Sequence, residues 1–140
     1  MNSATEDLVN TYLDALHRAD LDAILGLFAP RAVVHSPLYG PTPAPDFYRA
    51  LFIDTSSAEL TSKGVAEGRT STGTPLVTFW FHFDWRLPSG VAAPFDVVDV
   101  AELDSDGRIT TLSIVHDTVD VRPVFERETG SSWRSTEENR

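Results

Sequence analysis

Near Asp54 the spacing of apolar residues along this chain changes from about three and a half residues to two, and it does not change back. Before that point Leu8, Val9, Tyr12, Leu13 and Leu16 fall on one helical face, and Leu21, Ile24, Leu25 and Phe28 repeat the pattern. Beyond it, apolar and polar residues alternate as they do in half-buried strands. The period-2 segments are 59–67, 75–87, 91–103 and 108–118, joined by turns at 68–73, 88–90 and 104–107. Connections that short make successive strands antiparallel neighbours. Helices followed by a long-stranded sheet define an α+β fold, and the simplest packing lays the helices in the concave side of a strongly curved antiparallel sheet. A cone built this way has a cavity at its open end.

The helical part divides at recognisable stops. Ser3 and Glu6 have capping-box spacing, which predicts a first helix over 5–18. Asp20 is the N-cap of a second helix that Pro30 ends. A first strand over 32–36 stops at Pro37, and 38–45, with Gly40 and three prolines, reads as a rigid loop. A third short helix over 46–52 carries Tyr48.

Alternation also assigns faces. Phe79, Phe81, Phe83 and Trp85 form an unbroken aromatic face, opposite Trp80, His82, Asp84 and Arg86. The aromatic face is core or cavity wall, and the mixed face suits a subunit interface in a homodimer. In FDVVDV, Phe95, Val97 and Asp99 share a face, which places a carboxylate among apolar neighbours. An acid in such surroundings is held neutral by desolvation and then donates a hydrogen bond instead of carrying charge.

Composition narrows the function. With 21 acidic and 11 basic residues the formal net charge is -10, which works against nucleic acid and anionic membranes as partners. There is no cysteine, hence no disulfide framework or thiolate site. The N-terminal MNSATEDL lacks the basic and apolar regions of a signal peptide, and no apolar run reaches membrane-span length, so a soluble cytoplasmic protein is expected. No histidine or carboxylate set has metal-ligand spacing, and neither a phosphate-binding glycine loop nor a nucleophile elbow is present, so no metal and no cofactor is expected. The 140 residues suit one domain over 1–125, with 126–140 as a flexible tail whose one anchor is Trp133.

Three stretches carry a resemblance: YLDALHRADLDAILGLFAPRAVVHSPLYG, the FYR at 47–49, and FDVVDVAELDSDGRITTL. Together they make the chain resemble the ketosteroid isomerases, within the NTF2-like or SnoaL-like superfamily of cone-shaped α+β domains. The resemblance spans about 8–121 and implies three N-terminal helices packed in a strongly curved sheet around a small hydrophobic ligand. In those isomerases an aspartate shuttles a proton between two carbons of an enone, while a tyrosine and a protonated aspartic acid hydrogen-bond the carbonyl oxygen. By this resemblance the oxyanion tyrosine falls on Tyr12, the oxyanion acid on Asp99 and the supporting tyrosine on Tyr48. The shuttling aspartate falls on Ser36, and another tyrosine of the network is replaced by Phe28. His116, sharing a face with Leu112 and Ile114, is the inward candidate base near neutrality, whereas His35 faces outward. Leu38, Phe81, Phe83, Val97 and Ile114 complete the expected substrate wall. The readings left open are a proton-transfer enzyme acting on a steroid-like or polyketide-like carbonyl compound, a cyclase, dehydratase or epoxide hydrolase with the same acid pair, a binding module without turnover, and a structural dimer.

Overall fold

The computed structural model describes residues 2–131. Helix α1, Ser3–Arg18, is capped by Asn2, whose side chain accepts from the Thr5 amide at 2.8 Å. The capping box predicted at Ser3 therefore sits one residue late; Asn2 does the capping and Ser3 is already helical. Ala19 closes α1 in the left-handed region (φ 53°), donating to the carbonyls of Ala15 and Leu16. Asp20 caps the short helix α2, Leu21–Leu25, as its sequence indicated. Helix α2 ends well before Pro30, and Phe28, expected on its apolar face, opens strand β1, Phe28–Ser36. The pairing register of β1 slips between Phe28 and Val33, so Pro30, which has no N–H to donate, lies within the irregular stretch.

Residues 38–45 are not a plain loop. Gly40–Pro43 forms strand β2, paired antiparallel to β1 with Ser36 opposite Gly40, and Gly40 (φ 80°) occupies a conformation that side chains disfavour. Helix α3 then begins at Ala44, two residues before the predicted Asp46, with Pro45 in its first turn where a missing N–H costs nothing, and runs to Ile53.

Strands β3 (Ser57–Arg69), β4 (Pro75–Arg86), β5 (Phe95–Leu103) and β6 (Ile109–Val115) complete a six-stranded sheet in the order β2-β1-β6-β5-β4-β3. β3 to β6 pair antiparallel, as the turn lengths required. The sheet is not antiparallel throughout, because β1 pairs parallel to β6 across most of the chain's length. β5 starts at Phe95 instead of residue 91: Pro94 cannot join the ladder, and the chain before it makes one isolated bridge, Ala92 to Arg86. β6 stops at Val115, leaving His116 just beyond the strand.

Facing is as alternation predicted. Val77, Phe79, Phe81, Phe83 and Trp85 are buried on the helix side of the sheet, with Val97, Asp99 and Ala101 beside them on β5. Full burial of one such aromatic side chain contributes on the order of 1.5–3 kcal/mol. Tyr12 of α1 meets Phe79 edge-on at 5.1 Å, so the first helix sits against the aromatic row. A fourth helix, α4, Val121–Thr129, was not expected and continues past residue 125, where the sequence places the end of the packed domain. Its Val121 and Phe125 are buried, so the stretch after Glu126 is not tail as far as Thr129. Trp133 lies outside the described residues.

Candidate active site

The helices and the concave face of the sheet line a partly open cavity of about 50 Å³. Tyr12 and Leu16 come from α1, Ser36, Leu38 and Tyr39 from β1 and its turn, and Phe47 and Leu51 from α3. The sheet supplies Phe81, Phe83, Trp85, Phe95, Val97, Asp99 and Ile114, and His116 stands at its end. All four predicted catalytic side chains, Tyr12, Ser36, Asp99 and His116, therefore meet in one space, as do Leu38, Phe81, Phe83, Val97 and Ile114. Phe28 and Tyr48 do not line it: both are buried behind the wall, ring against ring at 5.5 Å. Tyr48 acts from there, its hydroxyl 2.6 Å from that of Tyr12. Trp85 and Phe95, on the faces that alternation turned inward, also line it, and Leu16, Tyr39, Phe47 and Leu51 complete the wall beyond the residues the sequence assigned to it.

Asp99 is 1% exposed, and no described protein group hydrogen-bonds either of its carboxyl oxygens. Burial pushes its carboxyl up to about 8. The Tyr12 hydroxyl opposes this weakly, being close enough to favour the anion but outside hydrogen-bond geometry with either oxygen. At neutral pH the side chain is a carboxylic acid, able to donate into the cavity. Burial also pushes both Tyr12 and Tyr48 well above the ordinary tyrosine range, with the Asp99 charge adding to it, so both keep their protons.

Ser36 has a definite local task. Its hydroxyl oxygen accepts from the amides of Leu38 and Tyr39, both at 3.1 Å, and so pins the turn between β1 and β2. Ser36→Ala should cost about 1–3 kcal/mol by orphaning both amides, read from the urea midpoint. An unchanged midpoint would mean that solvent satisfies the turn.

His116 is half-buried and stacks on Phe95 at 4.1 Å. Its Nδ1 is 3.0 Å from the Asp117 carbonyl; a carbonyl only accepts, so Nδ1 carries the hydrogen and Nε2 keeps its lone pair. Burial holds the imidazole below its usual pKa, chiefly by desolvation, which favours the neutral, base-competent form. His35 is exposed, as expected from its facing. On the outer sheet face His82 pairs with Asp96 at 2.8 Å and Asp84 lies 3.6 Å from Arg86. Among the described residues no three histidines or carboxylates converge as metal ligands would, and no helix is long and apolar enough to cross a membrane.

The helices and the curved mixed sheet form an α+β domain with an NTF2-like fold. The SnoaL-like domain family matches residues 9–112, and the chain belongs to that family. No curated protein matches the sequence. Among solved structures, an NTF2-like protein of unknown function from Burkholderia pseudomallei K96243 is 21% identical, with 91% of this chain and 98% of that one covered at a TM-score of 0.69. An LEH-like epoxide hydrolase of M. tuberculosis is 19% identical over 90% of this chain and 92% of its own, with a TM-score of 0.68. TerC, crystallised with polyporic acid, is 16% identical over 89% and 99%, also at 0.68. At these identities the likeness is one of fold.

Proposed function

We propose that the protein is a ketosteroid isomerase-like acid/base enzyme that works without a cofactor on a hydrophobic carbonyl compound. The observation that carries this reading is Asp99: a fully buried acid that no described group hydrogen-bonds, set on a largely apolar wall beside Tyr12. Tyr12 faces the cavity and Tyr48 does not, so the productive polarity has Tyr48 donating to the Tyr12 oxygen and Tyr12 donating onward to the ligand. A carbonyl oxygen gaining charge as its α-proton leaves would then meet two neutral donors in a dry site. Ser36 is occupied with the turn and has no base next to it, so the proton falls to Nε2 of His116. The same donor pair would serve a cyclase, a dehydratase or an epoxide hydrolase, since each of these also develops charge on an oxygen. The fold likeness to an epoxide hydrolase favours keeping that reaction in the test.

A panel of small enones, ketones and epoxides tests the reading by turnover and, separately, by binding. The reading requires turnover of at least one class that declines as pH rises through about 8, because ionised Asp99 no longer donates. Binding without turnover in every class would leave a ligand-binding module.

The outer sheet face supports assembly as a homodimer. Trp80 is 46% and Val115 58% exposed there, and Lys63 and His82 sit beside Asp96, so the face is apolar with both charge signs represented. Light scattering at micromolar concentration should give twice the chain mass, and Trp80→Glu should return it to the monomer. A monomeric unmodified protein would refute this.

A further inference from the structure

A cavity of about 50 Å³ is small for its proposed task. Ligand pockets run to roughly 300–1,000 Å³, and a dry cavity that accepts benzene is about 150 Å³. The inner space is too small to take in a whole ring compound, so a ring that enters it fully has to move part of the wall. The wall facing α4 is the place. Phe125 of α4 is fully buried and does not line the cavity; it stands one layer outside, 4.9 Å from the ring of Tyr39 and 5.8 Å from that of Trp85, which do. Tyr39 also meets Phe47 edge-on along the wall and is tied by the bond from its hydroxyl to Asp54 at 2.7 Å, and Trp85 by its bond to Thr55 at 2.8 Å. Both rings are thus fixed at their polar ends, and Phe125 stops their faces from moving outward.

The seat of α4 is partly polar. Arg122 donates to the Pro37 carbonyl, on the turn that Ser36 pins, and Glu128 accepts from the Ser89 amide. Within α4 the Nη1 of Arg122 and the Oε2 of Glu126 are buried 3.7 Å apart as an i,i+4 ion pair, neither atom hydrogen-bonded by any described group. A contact with such imperfectly satisfied groups separates at less cost than one made of packed strands.

We propose that Phe125 is the size-determining residue of this site: α4 wedges Tyr39 and Trp85 against the cavity, and ring compounds bind with α4 displaced. The inference rests on the reading that this cavity takes the ligand, and it does not require proton transfer. Benzene and naphthalene therefore serve as probes, since neither offers a carbonyl. Binding by NMR titration should be at least tenfold tighter for naphthalene in Phe125→Ala than in the unmodified protein, with benzene gaining less and Phe125→Leu lying between. In the unmodified protein, saturating naphthalene should speed hydrogen exchange of the α4 amides while leaving those of β5 unchanged. The exchange result stands even where the variants unfold. Affinities equal within twofold across folded variants, α4 amides that exchange no faster with probe, or no naphthalene binding by any form would each overturn the proposal. The size dependence with no turnover of any carbonyl or epoxide would instead defeat the enzymatic reading and leave this one intact.

Discussion

Between pH 5 and pH 8 the unmodified protein should lose about 4 kcal/mol of stability that its Asp99→Leu variant keeps. The Asp99 carboxyl titrates near 8 when folded, having been raised from 3.8, so between those values the unfolded chain releases a proton that the folded one retains. Stability from this group is complete below the lower value and falls as pH rises toward the upper. His116 has the opposite sign: its folded pKa is lowered, so its contribution increases as pH rises toward 6.5 and is level above it. That contribution is common to both proteins and cancels. Asp14, Asp20, Glu67, Asp96 and Glu128, all lowered, act at more acid pH. Urea denaturation at both pH values measures the difference, and parallel curves would mean that Asp99 is hydrated and ionised when folded.

The second large effect concerns the base. Ser36→Asp should raise isomerisation of 3-cyclohexen-1-one to its conjugated isomer by at least about 100-fold, and adding Asp99→Leu should remove roughly 10²–10³ of that rate. Ser36 faces the cavity that Tyr12 and Asp99 also line, so aspartate there puts a carboxylate in the same space as the two donors. The turn should survive, because one carboxylate oxygen can accept from the Leu38 and Tyr39 amides as the serine does, leaving the other toward the ligand. A base acts on the proton-transfer step and not on binding, so kcat should carry the change more than KM. Efficient isomerisation of this small enone by the unmodified protein would show that Ser36 is no lesion and that the base assigned above, His116, already suffices, which His116→Gln would test by loss of that rate.

Particular residues show what the sequence could convey. Asp99 was legible because a period of two leaves no freedom: with Phe95 and Val97 inward, Asp99 must be inward too, and it is 1% exposed. The aromatic row of β4 was legible for the same reason. Phe28 was misplaced because i, i+3, i+4, i+7 spacing from Leu21 fits a helix, and nothing local says that α2 stops after Leu25. β2 is four residues of glycine, proline and threonine, and it is a strand only because β1 lies alongside. The parallel pairing of β1 with β6 joins residues far apart in the chain, which spacing cannot report. α4 did carry a sign, Val121, Val124 and Phe125 at helical intervals, set against Pro123 in the middle. Pro123 falls in the first turn, where the backbone N–H has no helical partner to lose, so it does not break the helix. Tyr39, in a proline- and glycine-flanked turn, reaches the cavity through a hairpin that local spacing did not reveal.

Asp99 can donate to a ligand oxygen only as a neutral acid at the pH where the protein works. Selective ¹³C labelling of aspartate, with the Asp99 carboxyl resonance assigned by its loss in Asp99→Asn, gives its titration directly. A carboxyl still protonated at pH 7, with a midpoint near 8, is expected; a carboxylate already ionised at pH 7, with a midpoint near the ordinary value for aspartate, would contradict the neutral-donor role of Asp99.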